Sequence, residues 1–470
     1  MKPPEFSVIM PAYNGADYID KSIKSVLDQT YTNFEIIVID DASKDITAEV
    51  VQRFNDSRIK FIRHEVNRGS NAARNSGIRA SSGRLIAYLD QDDLFHPEKL
   101  QYHKTFYDMN PSIGASYNSR FELNCSSNTI RELWRPPLQL SLSDLLIGFP
   151  ISPTDTVHTR DWVIKTGLWD ENIWFNGGEM DLYCRLVLAG CSFAGIDRAL
   201  NYRRRYTNRI ISNLSEKCDA EIEVQKNIFA DPRCPEEVKK FKSIAFSQSY
   251  LSWSNYAFEQ KETSLGQSYL REAIRLTPDL LEGKPAKLFH FLIRNTITDE
   301  SKDHSKILKS IIDQLPVEIS WLADWYKWGV ARGYLYQGTR AIIWGRQEDG
   351  KSHFSQAVNM KAEIDESFLR QLTHQLLGYN IEFGSEATFK VMNQLIPHIK
   401  EVGGRSNTRS LKGFYAINKA FQNYHLGNFK ETIQNTVQAI LYNPTYLSNR
   451  GVLSILSHSL IGSVKNKGIP

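Results

Sequence analysis

Short apolar runs alternate with amphipathic stretches over the first hundred residues, and no other feature limits the fold as strongly. The apolar runs cover residues 6–10, 34–39, 59–63 and 84–89, and helical periodicity fills the intervals between them. Apolar strands separated by helices are typical of a parallel sheet that is covered on both faces. The sequence therefore predicts an α/β fold, with a mostly parallel sheet and helices on both of its faces.

Polar clusters follow three of these runs at the point where each run ends. They occupy residues 12–15, 40–41 and 90–93. In open sheets of this kind, ligands bind beyond the carboxyl ends of the strands. We therefore expect the three clusters to meet at one edge of the sheet and to form a ligand site there.

The third cluster, Asp90-Gln91-Asp92-Asp93, predicts a metal site. Three neighbouring carboxylates repel one another unless a cation is present. Mg²⁺ commonly takes one or two carboxylates and completes its shell with substrate phosphates. Asp90 and Asp92 are therefore candidate ligands of a divalent cation, Mg²⁺ or Mn²⁺, that bridges to a diphosphate. The alternative is a helix cap, because a helical pattern begins at Pro97.

Four further residues fall on the same predicted edge. Asp40 and Asp41 can either cap the following helix or accept hydrogen bonds from a nucleoside, and we expect one of them to do each. Arg68 and Arg74 carry guanidinium groups, whose planar fork suits phosphate. The alternative for both arginines is a surface position without a role.

A later pair of acids, Glu179 and Asp181, follows Gly177-Gly178 and begins a helical pattern. Carboxylates behind a flexible diglycine suit a general base on a mobile loop. Acids at a helix N-terminus are also favoured by the helix dipole alone, which is the structural alternative. Arg205 closes a basic run that could neutralise a departing diphosphate, with a solvated or lipid-facing charge run as the alternative.

Composition excludes several classes of protein. The net charge of +4 in 470 residues is too small for a dedicated nucleic-acid binder. Five cysteines without CxxC spacing argue against a disulfide framework or a zinc site. We find no secretory signal and no apolar run of about 18 residues. These features predict a cytoplasmic protein without a membrane span, and they leave open a peripheral contact with the anionic inner face of the membrane.

The pattern becomes helical in the second half of the chain. We expect an α/β domain over residues 1–215, a charged linker over 216–235 and an all-helical domain over 236–470. Residues 270–278 and 437–444 both place a proline five positions after an alanine, and 350–357 has a related small–aromatic–small spacing. Such spacing is typical of degenerate tetratricopeptide-like helix pairs, with a plain helical domain as the alternative.

Three segments together resemble the inverting family-2 glycosyltransferases, which have the GT-A fold. The segments begin SVIMPAYNG, NRGSNAARN and GGEMDLYC, and the match runs from Phe6 to about Tyr206. By this resemblance, the nucleotide of a sugar donor lies against Pro11, Tyr13, Asn14, Asp40, Asp41 and Arg68. The resemblance also makes Asp92 the better candidate for the metal ligand and Asp90 for ribose or the donor sugar.

The same resemblance assigns the catalytic base. The usual Glu-Asp pair of the family reads Gly178-Glu179 here, so Glu179 falls on the base position and Asp181 is held in reserve. Arg205 stands where the family often has a histidine. The implied reaction is a single displacement, in which Glu179 takes the proton of an acceptor hydroxyl while a metal at Asp92 stabilises the leaving diphosphate.

The implied function is sugar transfer from a nucleotide sugar, UDP by default with GDP and dTDP as alternatives, to a glycan or lipid-linked acceptor. Polysaccharide or glycolipid synthesis is the expected setting, and the helical region is expected to bind the acceptor or a protein partner. The non-enzymatic alternative is a catalytically degenerate GT-A domain that binds partners through its helices. The altered Gly178-Glu179 pair favours that alternative, whereas the retained Asp41, Asp90 and Asp92 argue against it. A nucleotidyltransferase is disfavoured because no glycine-rich loop follows the first strand.

Overall fold

The computed structural model divides into two compact units, Met1–Asp324 and Trp325–Pro470. The residues that it describes are 3–124, 128–173, 177–205, 213–297 and 302–465. The strands are β1 (Phe6–Ala12), β2 (Phe34–Asp40), β3 (Ile59–Arg63), β4 (Leu85–Tyr88), β5 (Leu94–Phe95), β6 (Ala115–Asn124), β7 (Ile130–Trp134), β8 (Thr156–Thr159) and β9 (Phe193–Arg205). The helices of the first unit are α1 (Ile19–Leu27), α2 (Thr47–Gln52), α3 (Ser70–Ala80), α4 (Lys99–Met109), α5 (Leu142–Ile147), α6 (Arg160–Lys165), α7 (Gly178–Leu188), α8 (Leu214–Ala230), α9 (Glu236–Lys239), α10 (Lys242–Glu259), α11 (Thr263–Leu276), α12 (Lys287–Thr296) and α13 (His304–Ile312).

The strands form one sheet in the order β3-β2-β1-β4-β8-β6-β9-β5, and β7 pairs with β6. The α/β prediction is confirmed, since β3, β2, β1 and β4 are parallel neighbours joined through helices. The sheet as a whole is mixed rather than mostly parallel, because β8 lies antiparallel to both β4 and β6 and β7 lies antiparallel to β6. A short connection of the kind between β6 and β7 can join only antiparallel strands.

Two apolar clusters cover the two faces of the sheet. Alternate residues of β1 enter opposite clusters, as the period of a strand requires. Ile9 packs with residues of α3, α7 and α8. Val8 and Met10 pack with residues of α1 and α4. All three side chains are fully buried, and each contributes roughly 1.5–3 kcal/mol through removal of apolar surface from water.

One buried carboxylate ties the amino ends of the parallel strands together. Oε1 of Glu35 accepts hydrogen bonds from Ser7 Oγ at 2.6 Å and from the backbone N–H of Ser82 at 2.7 Å. Its Oε2 pairs with Lys60 Nζ at 2.6 Å. Burial alone would raise the pKa of Glu35, but these donors outweigh it and lower the pKa to about 2. The ionised carboxylate is therefore part of the folded state at neutral pH.

The segment expected to be a linker, 216–235, is largely helical instead. It lies mostly within α8, and the side chains of Val224, Ile228 and Phe229 are buried in the cluster that contains α7 and β1. A charged pattern on one face of a helix is compatible with an apolar opposite face, which explains why composition alone suggested a linker. The compact unit extends to Asp324, and a catalytic domain that ends at residue 215 stays a prediction.

The second unit consists of helices α14 (Tyr326–Ile343), α15 (Gln347–Asn359), α16 (Glu366–His425), α17 (Phe429–Tyr442) and α18 (Arg450–Lys465). The helix α16 is interrupted at Gly384 and Gly404, both of which have positive φ. No helix in the described part of the chain is long and apolar enough to cross a membrane. The described residues after 213 are thus helices and their connections, in agreement with the predicted helical second half.

The predicted repeat corresponds to helix pairs with a shared pattern of buried small residues. Helices α11, α15 and α17 each carry three buried positions with the same spacing. These positions are Gly266, Leu270 and Ala273; Gly350, Phe354 and Ala357; and Thr432, Thr436 and Ala439. Small residues at such positions let the two helices of a pair approach closely, as at Gly266, where an added Cβ would lie 2.6 Å from the Phe258 ring. The assignment to tetratricopeptide-like repeats stays a prediction.

We expect Glu35→Gln to lower the free energy of unfolding by about 3 kcal/mol at pH 7, from the displacement of the pKa of Glu35 to about 2. Because the folded pKa is below the unfolded value, this contribution is present above the unfolded pKa and is lost as pH falls toward 2. The difference between the two proteins should therefore shrink between about pH 5 and pH 3. Urea unfolding at several pH values measures it. Glu49→Gln on the exposed face of α2 is the control, and a constant difference across this range would contradict the assignment.

Candidate active site

The three polar clusters meet at one edge of the sheet, as predicted. Ala12 and Asp40 are neighbours in the register of β1 and β2. The segment after β4 reaches the turn after β1 through Gln91, whose Oε1 accepts from the backbone N–H of Tyr13 at 2.9 Å. Gln91 Nε2 donates in return to the Tyr13 carbonyl at 3.1 Å. This edge is the carboxyl end of the parallel strands.

The turn after β1 is held by side chains from the turn after β2. Asn14 has a φ of 50°, a left-handed conformation that asparagine tolerates better than most residues. Its backbone N–H donates to Ser43 Oγ at 2.9 Å, and its Oδ1 accepts from the N–H of Lys44 at 2.8 Å. Pro11 is buried within β1, whereas Tyr13 leaves 40% of its surface exposed. Tyr13 therefore has the free surface that contact with a ligand requires.

The two acids after β2 have different partners. Asp40 is fully buried, and its Oδ1 accepts from the backbone N–H of Ser43 at 3.0 Å, which closes the turn after β2. Neither acid caps α2 as one of the pair was expected to do, because the N-cap of that helix is Ile46 and has no side-chain hydrogen bond. Asp41 accepts at Oδ1 from the N–H of Arg68 at 2.9 Å and at Oδ2 from that of Gly69 at 2.8 Å.

A histidine that sequence reasoning missed also contacts Asp41. His64 Nδ1 lies 2.7 Å from Asp41 Oδ1, and His64 Nε2 lies 2.9 Å from Ser76 Oγ. A lone histidine after a strand gives no sequence signal that would identify this pairing. Asp41 thus shapes the loop before α3, and its contact with a nucleoside stays a prediction. An ionised carboxylate has about four acceptor sites, so three donors do not saturate it.

Of the three acids after β4, one is buried and holds the loop, and the other two are partly exposed. Asp93 is buried, accepts from Thr154 Oγ1 at 2.9 Å and accepts from the backbone N–H of Arg204 at 3.1 Å. Burial, together with the charges of Asp92 and Asp90, raises the pKa of Asp93 well above its ordinary range. Asp90 and Asp92 are only partly buried. They are therefore the two acids of this cluster that a ligand can reach.

The predicted metal site has Asp90 and Asp92 as its two candidate ligands. Within the described ranges, no group of three or more His, Cys, Asp or Glu side chains is arranged to hold a metal ion. Mg²⁺ is commonly bound through one or two carboxylates, with waters and substrate phosphates in its other positions. The concentration of negative charge that raises the pKa of Asp93 is the chemical environment that such a cation would relieve. Asp90 and Asp92 thus fit a divalent cation that depends on a diphosphate for the rest of its shell.

The basic run at the end of β9 points partly inward. Arg204 donates from Nη1 to the backbone carbonyl of Asp92 at 2.6 Å and lies over the ring of Tyr18. Burial lowers the pKa of Arg203, but the charges of surrounding acids, with Glu122 the largest, outweigh it and raise the pKa. Arg203 and Arg204 belong to the basic run that was expected to neutralise a departing diphosphate, and Arg204 contacts the loop of Asp92. The side chain of Arg205, the predicted phosphate contact, lies outside the described residues.

Arg74 is not a surface arginine. It is 6% exposed, and its Cζ lies over the ring of Trp169, 4.6 Å from the ring centroid. Its Nη2 donates to Asp90 Oδ1 at 2.9 Å. Burial lowers the pKa of Arg74, but the charges of Asp90 and then Glu179 outweigh it and raise the pKa. Arg74 therefore pairs with the acid after β4 and lies within electrostatic range of the acid at the start of α7.

Arg68, the second predicted arginine, is about half exposed. Its Nη2 pairs with Glu171 Oε2 at 3.0 Å, and Glu171 Oε1 accepts from Asn75 at 2.9 Å. The exposed pair contributes little to stability, because solvent screens it. Arg68 is thus placed on the rim next to Asp41 through its backbone, and its contact with a donor stays a prediction.

The two candidate bases have different partners in α7. Asp181 accepts from Nε and Nη2 of Arg185 at 2.9 and 2.5 Å, and Arg185 Nη2 also donates to the carbonyl of Leu168 at 2.8 Å. The negative charge of Glu179, after that of Asp90, favours the charged form of Arg74, so Glu179 belongs to the same part of the site. Asp181 has a structural partner in Arg185, which leaves Glu179 as the better candidate for the base.

Gly178 explains why the expected acidic pair is displaced. A Cβ at this position would lie 2.4 Å from Nδ2 of Asn71. Asn71 itself donates to the carbonyls of Asp170 at 3.0 Å and Ile173 at 2.8 Å, and its Oδ1 accepts from Arg74. The space beside the first residue of α7 is therefore filled by Asn71. An acidic side chain can be accommodated only from the next residue onward.

We expect Gly178→Ala to lower the free energy of unfolding by about 1–3 kcal/mol, because the new Cβ must displace Asn71. Differential scanning fluorimetry and urea unfolding measure the change. Gly148→Ala is the matched control, since the nearest atom to its Cβ is 4.0 Å away and its φ is negative. Equal stability of the two variants would contradict the packing described here.

Comparison with known proteins identifies relatives of this chain. The family described as Glycosyl transferase family 2 matches residues 7–152. WfgD of Escherichia coli, named as a UDP-Glc:alpha-D-GlcNAc-diphosphoundecaprenol beta-1,3-glucosyltransferase, is 48% identical over 140 residues, which are 30% of this chain and 54% of WfgD. TuaG of Bacillus subtilis, named as a putative teichuronic acid biosynthesis glycosyltransferase, is 34% identical over 212 residues, which are 45% of this chain and 82% of TuaG.

The chain thus spans about half the length of WfgD and about four fifths of TuaG. Among solved structures, residues 1–349 of S. aureus TarS in complex with UDP-GlcNAc align with a TM-score of 0.43 at 17% identity, over 69% of this chain and 92% of that one. TuaG is similar over most of its length, and the family match covers residues 7–152. Both findings confirm the resemblance inferred from the sequence: the chain belongs to glycosyl transferase family 2.

Proposed function

We propose that this protein transfers a sugar from a nucleotide sugar, a UDP-sugar in the first instance, to a hydroxyl of a glycan or lipid-linked acceptor. The observation that carries the proposal is the buried Arg74, which pairs with Asp90 and lies within electrostatic range of Glu179, at the carboxyl edge of the parallel strands. A candidate metal ligand and a candidate base thus lie near one fixed cation. The names of WfgD and TuaG support acceptors of cell-surface polysaccharide synthesis.

The proposed reaction is a single displacement. Glu179 takes the proton of the acceptor hydroxyl, the oxygen forms a bond to the anomeric carbon, and the bond from that carbon to the diphosphate breaks with inversion. The diphosphate leaves with the electron pair of the broken bond. Asp90 and Asp92 would hold a divalent cation, which would supply charge neutralisation to the leaving diphosphate.

The protein contributes order to this site before any ligand binds. Asp93 and Arg204 fix the backbone of the loop that presents Asp90 and Asp92. Arg74 is held by Asp90 and Asn71, and its contact with Trp169 restricts its movement. Preorganised groups of this kind lower the barrier because little reorganisation is needed when charge develops.

The proposal also covers the setting of the reaction and the second half of the chain. We place the activity in the cytoplasm at the inner face of the membrane, since the name of WfgD describes a diphosphoundecaprenol acceptor. The helices of the second unit would then bind the acceptor or a protein partner. The competing function, a degenerate domain that binds partners without catalysis, is disfavoured because Asp90 and Asp92 stay partly exposed at the carboxyl edge of the strands.

We expect UDP to bind the full chain in a Mn²⁺-dependent manner, and Asp92→Ala to weaken that binding at least about tenfold, or about 1.4 kcal/mol. Isothermal titration calorimetry with UDP, GDP and dTDP, with and without Mn²⁺, measures this. Asp108→Ala, a half-exposed acid on α4 paired with Lys104, is the control and should bind as the unaltered protein does. Absence of binding for all three nucleotides would contradict the proposal and favour the degenerate-domain function.

A further inference from the structure

The turn that carries Glu179 is packed between two helices. On one side lies Asn71 of α3, which fills the space beside Gly178. On the other side lies α8, where a Cβ added to Gly177 would lie 3.4 Å from Cγ2 of Val224 and 3.7 Å from Cα of Glu221. Gly177 caps α7 with a φ of 109°, so the turn can be held in this conformation only with glycine at that position. The position of Glu179 therefore depends on where α8 lies.

Helix α8 is fixed by hydrogen bonds to α10. The carboxylate of Glu221 accepts from Ser249 Oγ at 2.6 Å and from Trp253 Nε1 at 3.1 Å. One turn further along α8, Gln225 donates from Nε2 to Ser249 Oγ at 3.0 Å and to the carbonyl of Leu146 in α5 at 3.0 Å. Gln225 is fully buried, and Ser249 and Trp253 are nearly so. These bonds lock α8 between α5 and α10.

Glu221 also lies within electrostatic range of the base. Burial raises the pKa of Glu221, the charge of Glu179 raises it further, and the bonds from Ser249 and Trp253 oppose both effects. The hydrogen bonds of Glu221 thus link α10 to the helix that packs against the turn before Glu179.

We propose that Glu221 is a positioning residue for Glu179, and that helices α8 and α10, which follow the sheet in the chain, are part of the transfer machinery rather than a separate module. This inference rests on the proposed function for its catalytic meaning. The hydrogen bonds of Glu221 hold α8 against Gly177, and α8 holds the first turn of α7 so that Glu179 stays beside Arg74. Removal of these bonds loosens the turn without touching the donor edge formed by β1, β2 and β4.

Hydrogen exchange of the full chain tests the positioning role without any substrate. We expect Glu221→Ala and Ser249→Ala to accelerate exchange in peptides covering 177–188 about tenfold, where the N–H of Asp181 bonds the carbonyl of Gly177 at 2.8 Å. Glu223→Ala, an exposed acid of the same helix, is the matched control and should leave exchange unchanged. Ser249→Ala preserves the test if Glu221→Ala does not fold. Unchanged exchange in 177–188, or equal acceleration in the peptides of β1 and β2, would overturn the inference.

Kinetics separate the failure of this inference from that of the proposed function. For the unaltered protein, release of UDP from a UDP-sugar establishes the activity. We expect Glu221→Ala to lower kcat about ten- to a hundredfold, because small displacements of a catalytic group are costly, while the Kd of UDP stays within about twofold. Loss of UDP binding in parallel with kcat would overturn the positioning role. If the unaltered protein releases no UDP, the proposed function is refuted. If Glu221→Ala still accelerates hydrogen exchange in 177–188, the packing inference stands even then.

Discussion

The site depends on one buried cation. Arg74 of α3 lies at the carboxyl edge of the sheet, pairs with Asp90 and is within electrostatic range of Glu179. A buried guanidinium is costly unless its charge is compensated, and loss of one partner from such a cluster commonly costs about 3–5 kcal/mol. The contact with the Trp169 ring and the hydrogen bond to Asn71 restrict its orientation. Every other feature of the candidate site is arranged around this position: the loop after β4 on one side and the start of α7 on the other.

The sequence predicted the sheet edge better than it predicted the roles of single residues. Alternating apolar runs identify β1 to β4, because a buried parallel strand must be apolar on both faces. Chain order and strand ends also bring the polar clusters together. Sequence patterns do not reveal which acid is buried. Only the fold shows that Asp93 is buried and holds the loop, whereas Asp90 and Asp92 are accessible to a ligand. The same holds for Asp40 and Asp41, which are adjacent in sequence and bond different loops.

The segment 216–235 was expected to be a linker, and most of it lies in α8, which shares an apolar cluster with the sheet. A charged surface on α8 concealed the apolar face formed by Val224, Ile228 and Phe229. The sequence does not distinguish Glu221 from a surface acid, because its hydrogen-bond donors Ser249 and Trp253 lie in a different helix, α10. Long-range pairs of this kind leave no local signal. The helix pairs left a faint signal in the sequence, because a proline follows a buried alanine by five residues at the end of α11 and of α17.

The most direct test of the account compares two acids on one helix turn. UDP release from a UDP-sugar should be measured for Glu179→Gln and Asp181→Asn, with UDP affinity as the reference for an intact donor site. If Glu179 is the general base, Glu179→Gln lowers kcat by roughly 10²- to 10⁴-fold with unchanged affinity for UDP, because a general base contributes about this factor. Asp181→Asn should retain most of the activity, since that carboxylate pairs with Arg185. An active Glu179→Gln beside an inactive Asp181→Asn would contradict the assignment of the base.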